Sequence, residues 1–396
     1  MNNYKKYLML YAMFSVLVSL PLIFNYITIC NADENMTYSD IVKLQHKLNA
    51  IYGPALNNNF FLYKVELFKY KKPSIIALGS SRVIQIREQF FNGSFVNCGL
   101  GISNLHEGIM FLEEILKFHR PEVIFLGFDF WWLNDAHPQP DMFPGYEQDG
   151  TGNLPFKIKQ PFAWLRKHKI SLKEYFDIMI FKSNKNHITN YENLGISAIT
   201  YSEGFRKDGS FLNAKALFGF DPTFVDIKFK KTFECIGKGT ERFEYNNRIS
   251  PEKLKQFQRI MELCRQNNVT LVVFLPPMAP TIYKKLQTMP KEYAYIEELR
   301  DYIHTLPVEA YDFHDISEVS TSDCEFFDGF HGGDVLYQKI LLKIVEKNPA
   351  SALKKYLNIP LMAEKIKEFS GHVITMYHKS MYNFAETDFL HLGCKK

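Results

Sequence analysis

The stretch Ser74-Ile75-Ile76-Ala77-Leu78-Gly79-Ser80-Ser81-Arg82 decides how the rest of the chain is read. Its apolar run, Ile75 to Leu78, has the continuity of a strand buried on both faces, as in a parallel sheet. The run stops at Gly79, and a polar turn leads into a helical pattern through Phe90. A strand that ends in a small-residue turn before a helix puts that turn at the carboxyl edge of a sheet, where α/β proteins keep their sites. A serine there lies near backbone N–H groups and the positive end of the helix dipole. A plain N-cap is the competing role for Ser80 or Ser81, and Gly-Ser-Ser alone does not separate the two.

Downstream the pattern alternates. Phe95-Val96-Asn97 reads as a second strand, broken at Cys98-Gly99-Leu100-Gly101. From Ser103 a helix carries Leu105, Ile109, Leu112, Ile115 and Leu116 at helical spacing. Pro121 precedes a third strand, Val123 to Asp129. Strand, helix, strand, helix, strand at this spacing predicts a parallel α/β sheet. The alternation then stops, and residues 130–249 read as a large insertion with one helix near 160–182. Within it, Arg206-Lys207-Asp208-Gly209-Ser210 is expected to be a solvated turn. Order returns at Ser250-Pro251-Glu252, a helix start with proline in the first turn. Val269–Leu275 and Val308–Phe313 are the fourth and fifth strands, with helices at 280–305 between them. A loop then carries Phe326-Phe327-Asp328-Gly329-Phe330-His331-Gly332-Gly333, and a helix starts at Asp334. Residues 348–396 form a tail whose Ile366, Phe369, Val373 and Tyr377 suit a covering helix, in preference to an amphipathic helix lying on a membrane.

Upstream, Lys5 and Lys6 precede an uncharged run from Tyr7 to Cys30, long enough to span a bilayer. Asp33 and Glu34 follow it, so residues 1–32 are expected to be a signal anchor with its N-terminus in the cytoplasm and the remainder outside. A cleaved signal peptide is the alternative, but Ile27-Thr28-Ile29 is a poor small-residue cleavage site. Residues 33–72 are expected to be a helical stalk packed on the domain.

Composition narrows the class. The net charge of +4 is spread over mixed acidic and basic residues, with no basic block to hold nucleic acid. The 35 Phe and 22 Tyr suit large packed segments or a groove that stacks on sugar rings. The six cysteines show no CxxC pair and no metal-ligand spacing, so no disulfide framework is expected, although one pair is left open. His106, His119, His137 and His314 are matched by no spacing rule, and no metal site is expected. There is no Walker loop, which argues against phosphoryl transfer from a nucleotide, and no other cofactor is called for. The Gly-x-Ser-x-Gly elbow of the α/β-hydrolases is also missing.

The chemistry is carried by residues far apart. Asp328 and His331 are three residues apart after the last strand, a spacing at which the carboxylate reaches the imidazole Nδ1–H. Ser81 ends the first strand on the same carboxyl edge. Topology therefore predicts Ser81 as nucleophile, His331 as base and Asp328 as its orienter.

These blocks resemble the SGNH (GDSL-like) hydrolase superfamily. Within it they resemble the membrane-anchored extracytoplasmic group that includes the D-alanyl-lipoteichoic acid transfer protein and the polysaccharide O-acetylation proteins. The resemblance covers about half the chain, roughly 73–135 and 250–347. It implies a three-layer αβα, flavodoxin-like domain over 73–347, interrupted by the 130–249 insertion. Gly79-Ser80-Ser81 stands for the family's Gly-Asp-Ser, as in the anchored group, and Asp328 with His331 matches Asp-x-x-His. The second block supplies an oxyanion glycine, here Gly101 in preference to Gly99. The third block normally reads Gly-x-Asn; here it is Gly127-Phe128-Asp129. An ionised Asp only accepts hydrogen bonds and does not stabilise an oxyanion. Losing one such donor costs about 2.7–4 kcal/mol of transition-state stabilisation. Either Asp129 is protonated, or Asn134 serves, or backbone N–H groups suffice. The resemblance implies acyl transfer to, or hydrolysis of, acyl esters on a cell-surface glycan or envelope polymer. It also implies a multipass membrane acyltransferase as partner. A lipase-like carboxylesterase and a non-catalytic glycan-binding or assembly factor are the alternatives.

Overall fold

Apolar runs without polar alternation have to be covered on both faces, and here they form a parallel sheet. The computed structural model of the chain describes residues 3–141, 152–181, 191–219, 223, 225–377, 379 and 385–396. In chain order the strands among them are β1 (Ala50–Tyr52), β2 (Ile75–Gly79), β3 (Phe95–Gly99), β4 (Val123–Gly127), β5 (Glu192–Leu194), β6 (Gly204–Phe205), β7 (Phe211–Leu212), β8 (Thr270–Leu275) and β9 (Glu309–Asp312). Five make one sheet in the order β3-β2-β4-β8-β9, and every neighbouring pair is parallel. Every residue of β2, β3 and β4 is buried. The fold is thus α/β around a five-stranded parallel sheet. The chain leaves β2 to one side to make β3 and to the other to make β4. That reversal opens a crevice at the carboxyl ends of β2 and β4, the place where such sheets bind ligands.

Glycines end β2, β3 and β4 because Val83 sits against them. A Cβ on Gly127 would lie 2.3 Å from Val83 Cγ1, and one on Gly99 would lie 2.9 Å from Val83 Cγ2. The buried Asn97 amide donates to the carbonyls of Val83 (2.7 Å) and Ile86 (2.8 Å). Those carbonyls are the acceptors a continuing helix would use. The expected helix through Phe90 is therefore replaced by two 3₁₀ turns, Ser81–Val83 and Glu88–Phe90.

Between β4 and β8 the chain contributes to a second sheet, ordered β5-β1-β6-β7. Because β1 comes from residues 33–72, that segment is two helices, Tyr38–Leu48 and Phe60–Lys71, flanking a strand. The single helix expected near 160–182 is two, Gln160–Arg166 and Leu172–Phe181, parted at His168, which takes a φ of 53°. The 206–210 turn is not solvated: Arg206, Asp208 and Ser210 are buried, with Asp208 accepting from the Glu88 N–H at 2.8 Å. Residues 142–151, 182–190, 220–222 and 224 of the expected insertion lie outside the described residues.

The helix Asn3–Asn31 contains Tyr4–Asn31, 28 residues whose most apolar 18-residue window has a mean hydropathy of 2.1, long and apolar enough to cross a membrane. Its exit is built into the domain. The buried Glu34 carboxylate accepts from the N–H groups of Ala55 (2.7 Å), Leu56 (3.0 Å) and Ile196 (2.9 Å). Asn25 and Asn31 donate to the carbonyls of Ile158 (2.8 Å) and Met179 (2.9 Å). At the other end, helix Ile359–Phe369 buries Met362 and Phe369. Cys324 and Cys394, 70 residues apart, form a disulfide.

Candidate active site

Ser80 and Ser81 divide the two roles open to them. Ser80 Oγ accepts from the Arg82 N–H at 3.3 Å and is the cap. Ser81 Oγ instead lies 2.8 Å from His331 Nε2. On the far side of the imidazole, Nδ1 is 2.7 Å from Asp328 Oδ2. The other carboxylate oxygen, Oδ1, accepts from the backbone N–H groups of Phe330 and His331, both at 2.9 Å. Burial pushes the Asp328 carboxyl up, but His331 and the two N–H bonds outweigh it and hold it below the ordinary range. An ionised Asp328 accepts only, so His331 carries its proton on Nδ1, and Nε2 accepts from the Ser81 hydroxyl. Three residues separated by 250 positions thus form one hydrogen-bonded relay.

His331 sits on a loop braced by backbone hydrogen bonds. Phe326 bridges Gly332, and the Phe327 N–H donates to the His331 carbonyl at 2.8 Å. The Gly329 carbonyl accepts from the Ala279 N–H at 3.0 Å. Ser81, Asp328 and His331 line a cavity of about 700 Å³, which runs over Phe211, Lys215, Lys231 and Arg242.

Two arginines with no motif around them belong to this site. Arg82, wholly buried, donates through Nε to the Phe330 carbonyl (3.0 Å) and through Nη2 to the carbonyls of Pro276 and Pro277 (both 2.7 Å). It therefore ties the Ser81 turn to the loop after β8 and to the residue before His331. Nothing local in the sequence signals this, because its partners are backbone atoms almost 200 residues away or more. Arg242 lies over the rings of Trp131 (5.4 Å) and Phe330 (6.0 Å) and faces the cavity. Among the described residues its guanidinium has no carboxylate partner, whereas Lys215 pairs with Glu203 and Lys231 with Glu241.

The expected oxyanion residues are placed differently from the relay. The Gly101 N–H donates to the Cys98 carbonyl at 3.1 Å. The Asn134 amide donates to the Glu244 carbonyl at 2.7 Å and its oxygen accepts from Ala136 and Asn246, so it serves the β4–β8 connection. Asp129 is buried beside Arg82 at 3.4 Å, and its Oδ2 has no partner among the described residues. Burial raises its carboxyl above the ordinary range, with Arg82 opposing the shift. His106 and His137 pair with Asp141 and Glu244, and His314 is buried and held neutral by its surroundings. Among the described residues no cluster of His, Cys, Asp and Glu is arranged to hold a metal.

No family model matches this chain. No curated protein matches it either.

Proposed function

We propose that this chain is a membrane-anchored serine acyltransferase or esterase of SGNH type. It acts outside the cytoplasm on acyl esters, acetyl first among them, of a cell-surface glycan or envelope polymer. The observation that carries the reading is the Ser81–His331–Asp328 relay opening into a cavity at the switch point of a parallel sheet. On this reading the sheet is the middle of three layers, and 130–249 is an insertion that walls the groove.

Ser81 Oγ attacks the acyl carbonyl while His331 Nε2 takes its proton, and Asp328 stabilises the imidazolium. The tetrahedral intermediate collapses, the alcohol leaves with the proton from His331, and the acyl group stays on Ser81. A sugar hydroxyl or water then attacks the ester, again giving its proton to His331, and Ser81 is released. With Gly101 and Asn134 engaged elsewhere, and the Arg82 and Val83 N–H groups turned to Ser80, oxyanion stabilisation falls to the Ser81 N–H and to the cavity-facing Arg242.

The 28-residue apolar helix supports an anchor, with Lys5 and Lys6 orienting its N-terminus to the cytoplasm. The Cys324–Cys394 bond supports an oxidising location for the domain. A multipass membrane acyltransferase that supplies acyl groups across the bilayer is the proposed partner when the reaction is transfer.

Replacing Ser81 by alanine tests the assignment. Turnover should fall by about 10³-fold or more, and a serine-directed fluorophosphonate probe should no longer label the protein. In cells, NMR of surface glycans separates the two reactions: fewer acyl groups than in the parent means transfer, more means hydrolysis. The commitment of Gly101 and Asn134 to other partners favours one rival, a glycan-binding factor without catalysis. That rival requires the wild-type protein to resist the probe.

A further inference from the structure

Outside the relay, the largest unexplained feature is a concentration of exposed apolar side chains in one short stretch. Phe156, Phe162, Leu172, Phe176, Ile180 and Phe181 are between 41% and 68% exposed. Leu172, Phe176 and Ile180 recur every four residues, so they form one stripe on the helix Leu172–Phe181. The opposite side of that helix is already used. Tyr175 and Ile178 pack with Trp164, Ile170 and Ala32 into a small core of their own. Large apolar groups are seldom left in such a row on a surface that faces only water.

The stretch adjoins the apolar helix. Both Gln160–Arg166 and Leu172–Phe181 pack against it. The Tyr175 hydroxyl donates to Asn25 Oδ1 at 2.9 Å, and the Asn31 amide reaches Met179. A bilayer core about 30 Å thick is crossed by roughly 20 helical residues. Counted from Tyr7, where the uncharged run begins, a crossing of that length ends at Tyr26, next to Asn25, the first buried polar residue of the helix. The membrane surface therefore falls at the level of the exposed stripe. Arg166, Lys167, Lys169 and Lys173 are exposed on the same segment. Apolar groups bordered by basic ones are what the headgroup region of a bilayer with anionic lipid receives.

We propose that residues 154–181 form an interfacial platform that lies in the headgroup layer beside the transmembrane helix and sets the height of the catalytic groove above the bilayer. The proposal rests on the anchor reading and is independent of the serine chemistry. The occupant of the stripe is lipid.

Full-chain protein in nanodiscs containing phosphatidylglycerol and a phospholipid with a photoactivatable acyl group tests it. After irradiation, lipid adducts are mapped by peptide mass spectrometry. Adducts are expected on residues 156–181 as well as on 4–24. Phe176→Asp together with Ile180→Asp should cut the first set by about fivefold or more, leaving the second unchanged. Adducts confined to 4–24 overturn the platform and leave the anchor standing. Adducts on neither segment overturn both. Protection of 156–181 that arises only in native membranes assigns the stripe to a protein partner and also overturns the proposal.

Discussion

Two buried arginines five positions apart, Arg82 and Arg87, each face a buried aspartate, and the two pairs are built in opposite ways. Arg82 donates to three carbonyls and makes only a long 3.4 Å contact with Asp129, whose Oδ2 is left without a partner. Arg87 contacts Asp334 at 3.2 Å, leaves its own Nε without a partner among the described residues, and rests on the Tyr377 ring. Asp334 in turn accepts from the Thr375 N–H at 2.6 Å and from its hydroxyl at 3.2 Å. In the first pair the cation is the clamp and the acid is a bystander. In the second the acid is the clamp, and it joins the segment around Thr375 to the connection after β2. A buried ion pair is thus no unit of stability in itself; what matters is which partner holds the backbone.

Substitution of Arg82 separates the pairs most strongly. Arg82→Met leaves three buried carbonyls and Asp129 uncompensated, and should cost about 4 kcal/mol in denaturant unfolding. Arg82→Lys should recover little of this, since an ammonium cannot span three acceptors set for a planar fork. An Arg82→Met variant as stable as the parent breaks the comparison. Next in size, Asp334→Ala should cost about 3 kcal/mol by stranding Arg87 and the Thr375 N–H.

The third test uses pH. Burial pushes the Asp334 carboxyl up to about 6, from about 3.8 when unfolded. Between those values the folded state holds more protons than the unfolded one, so this residue's contribution to stability falls as pH rises through that window. The stability difference between wild type and Asp334→Asn should change with pH across it, and a flat difference contradicts the assignment. The smallest effect belongs to Asp129→Asn, at less than about 1 kcal/mol, because Arg82 keeps its three carbonyls and the amide can still accept from it. A loss as large as that of Asp334→Ala would make the two pairs alike.

The same contrast marks what a sequence can reveal. The parallel strands were legible because Ile75–Leu78 and Val123–Leu126 are apolar without alternation, and burial on both faces leaves that imprint. The meeting of Ser81, Asp328 and His331 was legible because they follow strands whose carboxyl ends share an edge. The Arg82 clamp was not, since its acceptors are carbonyls, which every residue carries. The 206–210 turn misled for a related reason. Three charged residues beside one glycine read as solvated, but Asp208 lies among Arg87, Arg206 and the Glu88 N–H. The break at His168 and the Cys324–Cys394 pairing depend on tertiary placement that no local pattern carries.

The Glu34 joint has a mechanical consequence. A carboxylate held by three backbone N–H groups fastens the end of the apolar helix to the domain. For a helix that crosses a bilayer, tilt follows the match between its apolar length and the local thickness. On the anchor reading, a tilt of the helix is therefore carried through this joint toward the domain that holds Ser81.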